Sequence, residues 1–144
     1  MKPENLQSHL DTLSSASWNQ LYELVRAIYV EKEFGKIQES QNRTGAYLEF
    51  PHWVYTSKIA DFNRMVYEMD IVIVFDWMEW KEGQAMLKNP DQEYGHLDGA
   101  TLCKLITLIV RAERFYEGYL HNCFENGSVL KIVTALNERY GSLS

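Results

Sequence analysis

Cysteine, proline and long apolar runs are all scarce in this chain. Its two cysteines, Cys103 and Cys123, offer no disulfide framework. On one continuous helix their twenty-residue spacing would hold them roughly 30 Å apart, far outside the ~7 Å Cα separation a disulfide tolerates. Both fall at apolar positions, which points to buried thiols in a reducing compartment and to a cytoplasmic protein. The longest apolar stretches are Ile71–Phe75 and Leu105–Val110, the latter containing Thr107. Neither approaches the roughly 20 residues of a membrane span, and Met1–Asn5 leads into polar sequence without the apolar segment of a signal peptide. Cations are also in the minority: 14 Lys and Arg face 20 Asp and Glu, for a net charge of −6 and a pI near 5.2. Nucleic acid, which is bound by clustered Lys and Arg, is therefore not an expected partner, and neither is a membrane. Glycine-rich phosphate loops, GxSxG elbows and HExxH are missing. His9, His52, His96 and His121 are scattered, with no partner at metal-ligand spacing, so neither metal nor cofactor is expected.

What the chain has is length and helical patterning. Its 144 residues, 46% of them apolar, suit one domain able to bury roughly 68–70% of its unfolded surface. Leu6, Leu10 and Leu13 mark a short first helix within 3–14, a piece that could be loosely attached. Trp18, Leu21, Leu24, Val25, Ile28 and Tyr29 mark a second, about 17–34, stopped by Gly35. Residues 35–55 carry Gly35, Ser40, Asn42, Thr44 and Gly45, then Tyr47, Phe50, Trp53 and Tyr55 around Pro51. They read as an irregular aromatic-rich segment, with at most a short extended piece at 46–50, lying across the bundle or meeting a partner.

A third helix is expected over about 57–80, where Ile59, Phe62, Val66, Met69, Ile73, Trp77 and Trp80 form one stripe. The β-branched run 71–74 keeps an extended alternative open for that piece. A short helix is expected to resume toward Leu87 after Glu82-Gly83. Asp98 is placed as N-cap of a fourth helix, about 99–124. Ser128 caps a fifth, about 129–140, and Gly141 stops it. The expected fold is all-α: a single-domain bundle of about five helices.

One charged-aromatic constellation stands out. On a wheel of the fourth helix, Lys104, Arg111 and Arg114 form a narrow cationic strip on an otherwise apolar cylinder. Asp76 and Glu79, flanked by Trp77 and Trp80, lie beside the stripe of the third helix. Buried carboxylates need partners, and guanidinium groups pair them in two-pronged geometry. The cluster Asp76, Trp77, Glu79, Trp80, Lys104, Arg111, Arg114 and Glu117 therefore reads in two ways. The commoner arrangement is an inter-helix ion-pair network that only holds the fold together. The other is a pocket for an anionic or planar ligand walled by Trp77 and Trp80. Gly118 inside a helix costs roughly 1 kcal/mol against Ala, and close helix packing would account for it.

The residues also resemble a known family. Glu49-Phe50-Pro51, Phe75-Asp76-Trp77, Leu102–Thr107 and Val110-Arg111-Ala112-Glu113-Arg114-Phe115-x-Glu117-Gly118 look like a bacterial and archaeal domain of unknown function, DUF6508-like, over about residues 45–136. The resemblance implies no activity. It does imply that the charged-aromatic strip belongs to the family. The expectation is a non-enzymatic protein-interaction or ligand-binding domain, joined to itself as a homodimer or to another protein. The alternative is an enzyme or binder for an anionic small molecule, with Arg111 and Arg114 as the clamp and Asp76 or Glu79 as base.

Overall fold

The chain is described by a computed structural model over residues 2–31, 34–38 and 52–141. Its architecture is all-α. In chain order the elements are α1 (Leu6–Thr12), α2 (Ser15–Glu31), β1 (Gly35–Gln38), β2 (His52–Tyr55), α3 (Ser57–Glu68), α4 (Lys81–Lys88), α5 (Gly99–Ala112), α6 (Tyr119–Glu125) and α7 (Ser128–Tyr140). Seven α-helices stand among the described residues, where about five were expected. The irregular reading of 35–55 needs a correction. Its two ends pair as an antiparallel ribbon, with Gly35 opposite Tyr55 and Gln38 opposite His52. Residues 39–51, with Tyr47, Phe50 and the extended piece expected at 46–50, lie outside the described residues.

Two long helices of the sequence reading break, each for a local reason. The third ends at Glu68, not at residue 80. Asp70 adopts φ 57°, the left-handed conformation that usually falls to glycine at a helix end. Around it the Asp70 N–H donates to Tyr67 O (3.0 Å) and the Ile71 N–H to Val66 O (3.2 Å), a closure that satisfies the last carbonyls. Ile71, Val72 and Ile73 then run through the core as non-helical backbone. The fourth expected helix ends at Ala112 and restarts at Tyr119. Gly118 sits at φ 90°, so it is a break and not a packing glycine.

Several caps follow the expected chemistry. The Ser14 hydroxyl accepts from the Ser17 N–H (3.2 Å) at the start of α2. Asp98 Oδ1 accepts from the Thr101 N–H (2.8 Å) at the start of α5, and hydrogen bonding by the Thr101 side chain, then by this N–H, holds the Asp98 carboxyl below its usual pKa. For α7 the cap differs from the expected Ser128. Gly127 is the left-handed cap residue, and Asn126 Oδ1 accepts from the Ser128 N–H (2.9 Å).

The core threads every helix. α5 is its axis: Leu102, Cys103, Leu105, Ile106, Thr107, Leu108 and Ile109 are all buried. Such a helix has almost no solvent face, as a cylinder packed on several sides requires. α2 presents Trp18, Leu21, Val25 and Ile28 at spacings of three and four, and α7 presents Val129, Ile132, Val133 and Leu136. The two helices lie together, and the Trp18 and Tyr140 rings stack at 5.1 Å. α1 is docked: Leu6 and Leu10 are buried, and His9 Nε2 lies 2.7 Å from Met69 O.

Candidate functional site

The strip between α3 and α5 is built around a single buried hydroxyl. Beyond Ile71 the non-helical backbone has no helical ladder to receive its N–H groups. Thr107 on α5 supplies a partner: its Oγ1 accepts from the Ile73 N–H (3.0 Å) and donates to Cys103 O (2.9 Å). This pins the segment so that Val74 emerges at the surface, followed by Phe75 and a short 3-10 turn over Trp77–Glu79. Trp80 folds back against Phe75, with ring centroids 5.7 Å apart. Its indole occupies the space that a Cβ on Gly83 would take, so Gly83 is required for this approach.

On the facing side, α5 gives way to a turn that presents Phe115 and Tyr116. Glu113 holds that turn. Its carboxylate accepts from the Gly118 N–H (3.1 Å) and the Leu120 N–H (2.9 Å), satisfying two free donors at the start of α6. The Tyr55 hydroxyl, from the end of β2, donates to the same group at 2.6 Å. Burial, and then this bond, push the Tyr55 phenol well above its usual range. Glu113 thus ties the strand ribbon, the turn and α6 together. Sequence reasoning passed over it. Its one available signal is a carboxylate five residues before a glycine that can open a helix.

Phe115 and Tyr116 are 61% and 64% exposed, and Val74 is 68% exposed. Trp77 meets Phe115 with centroids 5.8 Å apart. A cleft of about 300 Å³ beside them is lined by Val74, Trp77, Arg111, Arg114 and Phe115, among others. Arg111 lies half-buried with its guanidinium carbon 5.7 Å from the centroid of the Tyr67 ring, and Lys104 Nζ stands 5.7 Å over Phe75. Both are cation–π contacts.

The structure therefore brings Trp77, Arg111 and Arg114 together and leaves the carboxylates apart. Asp76, Glu79, Arg114 and Glu117 are exposed, and among the described residues no ion pair joins Asp76 or Glu79 to Arg111 or Arg114. The expected interior network is corrected accordingly. Its premise was a helix over 57–80 that carried both acids along α5. Once the chain turns at Asp70, that helical spacing no longer applies, and both acids face water. Trp80 and Lys104 pack on Phe75, which lines the arginine cleft, but are not themselves part of that lining.

The remaining candidates are chemically quiet. Cys103 and Cys123 are buried free thiols, and burial pushes each up to about 12. His121 Nε2 pairs with Glu125 (2.7 Å) on α6. Among the described residues, no group of His, Cys, Asp and Glu is placed to hold a metal ion, and no helix is long and apolar enough to cross a membrane.

Fold and face together define an all-helical domain with an exposed aromatic and cationic surface. The chain belongs to DUF6508, a family of unknown function whose model matches residues 13–142. No curated protein and no solved structure matches it.

Proposed function

We propose that this chain is a non-enzymatic interaction domain that docks a second copy of itself through the face around Trp77 and Phe115. The observation that carries the reading is the coexistence, on one surface, of exposed apolar side chains and unpaired charges of both signs. Val74, Met78, Phe115 and Tyr116 are exposed there, and contiguous apolar exposure of this kind marks binding surfaces. Trp, Tyr and Arg are the residues in which binding energy concentrates. The turn bearing Phe115 is held by three hydrogen bonds to Glu113, so little order has to be imposed on docking.

Charge selects the partner. A two-fold interface applies the same patch to itself. Arg111 and Arg114 of one copy can then meet Asp76 and Glu79 of the other; among the described residues none of the four has an ion-pair partner in its own chain. Catalysis has less support. Among the described residues no ion pair joins the carboxylates to the arginines, and both thiols are held protonated. Buried reduced cysteines also support a cytoplasmic setting, here in a bacterial or archaeal cell.

Sedimentation equilibrium across a wide concentration range tests the reading. The unaltered chain is expected to dimerise. Arg111→Glu/Arg114→Glu and Asp76→Arg/Glu79→Arg are each expected to be monomeric, and their equimolar mixture to recover a heterodimer. A chain that stays monomeric at every concentration, or charge-reversed variants that dimerise unaltered, would overturn it.

A further inference from the structure

A second cleft opens on the other side of Trp77, between α4 and α5, with a volume of about 430 Å³. Leu108 and Ala112, one turn apart on α5, form part of its lining, and both side chains are buried. Trp77 and Tyr116 line it as well. Lys81 and Lys88 come from α4, seven residues and so two turns apart on one face of that helix. Among the described residues no carboxylate lines this cleft, although acids outnumber bases in the chain as a whole. Among the described residues neither lysine has an acid partner.

Each feature narrows what fits. An apolar floor between aromatic walls suits an alkyl or aryl body better than a sugar phosphate, for whose many polar atoms the lining offers, besides the two lysines, only the Gln84 amide and the Tyr116 and Tyr119 hydroxyls. Two unpaired ammonium groups at the rim disfavour a cation and give a neutral body no anchor. The volume lies toward the small end of ligand pockets. At about 30 Å³ per water it displaces on the order of 14 waters, enough for a chain or fused ring pair but not for a dinucleotide.

We propose that this cleft binds an amphipathic monocarboxylate. Its headgroup lies between Lys81 and Lys88, and its alkyl or aryl body lies on Leu108 and Ala112 beneath Trp77. The site shares Trp77, Met78 and Tyr116 with the docking face and differs from it in its cations, Lys81 and Lys88 in place of Arg111 and Arg114.

Isothermal calorimetry with decanoate and, in a parallel arm, 2-naphthoate tests it, with decanol as the neutral control. One carboxylate per chain is expected, and the arm with the larger heat identifies the body. Decanol should bind at least tenfold more weakly. Lys81→Gln/Lys88→Gln should weaken the carboxylate about tenfold or more, since charge-assisted hydrogen bonds are lost. Both lysines are exposed, so this variant should fold with an unchanged melting curve. Absence of heat in both arms, affinity unaltered in the double variant, or decanol binding as well as decanoate would each overturn the proposal. Repeating the titration on Arg111→Glu/Arg114→Glu separates the two readings: retained binding in that chain upholds the cleft whether or not the unaltered chain dimerises.

Discussion

Thr107 shows how one side chain can set the course of a whole segment. It is fully buried on the axis helix, and its hydroxyl is shared between an N–H of extended chain and a carbonyl of its own helix. Thr107→Val keeps the volume and β-branching but leaves the Ile73 N–H without its partner in the interior. A buried orphaned donor costs about 1–3 kcal/mol, so the unfolding free energy should fall by that amount, read as a lower urea midpoint at an unchanged slope. This bond was not legible in advance. Ile71–Phe75 is continuously apolar, and such a run satisfies a helical and an extended pattern alike. Only the position of a hydroxyl on a different helix decides between them. Asp70 hid the helix end for a related reason: it takes the left-handed turn that glycine ordinarily announces.

Among the elements, periodicity revealed which faces are buried and concealed where cylinders stop. The stripe of α2 and the apolar cylinder of α5 were readable from spacing alone, and the Asp98 cap from its place before α5. The break between α5 and α6 was visible as Gly118 and was misassigned to close packing. What makes it a break is Glu113, whose carboxylate receives the N–H groups exposed by restarting a helix. Glu113→Ala removes that receiver and the Tyr55 anchor together. Hydrogen bonds to charged groups contribute about 1.5–3 kcal/mol each when buried, and this group is half-exposed, so a loss of roughly 2–4 kcal/mol is expected on urea unfolding. The same change should free the turn carrying Phe115 and weaken self-association. A variant as stable as the parent would show that α6 caps itself. Arg111 was found by the helical wheel, because α5 is regular up to Ala112, and Arg114 lies in the turn just beyond that helix. Their expected partners were not, because Asp76 and Glu79 lie on chain whose helix had already ended.

For the whole molecule, the test lies in the two thiols. Cys103 and Cys123 come from adjacent helices of one core, and burial holds both in the protonated, unreactive form. Labelling by an aromatic disulfide reagent at mildly alkaline pH should therefore be slow, and both sites should react at one shared rate. That rate should rise with urea in step with global unfolding. Fast modification of either thiol in native buffer would reveal local opening around α5 or α6 that the packing does not anticipate.

The stacking of Trp18 on Tyr140 has a kinetic side. During synthesis the oily flank of α2 emerges about a hundred residues before the helix that shelters it. Until the ribosome has delivered α7, Leu21, Val25 and Ile28 lack their cover. Closing the bundle is thus a long-range event, with the loop-closure delay this entails. A nascent chain halted before residue 128 should remain protease-sensitive in its first thirty residues.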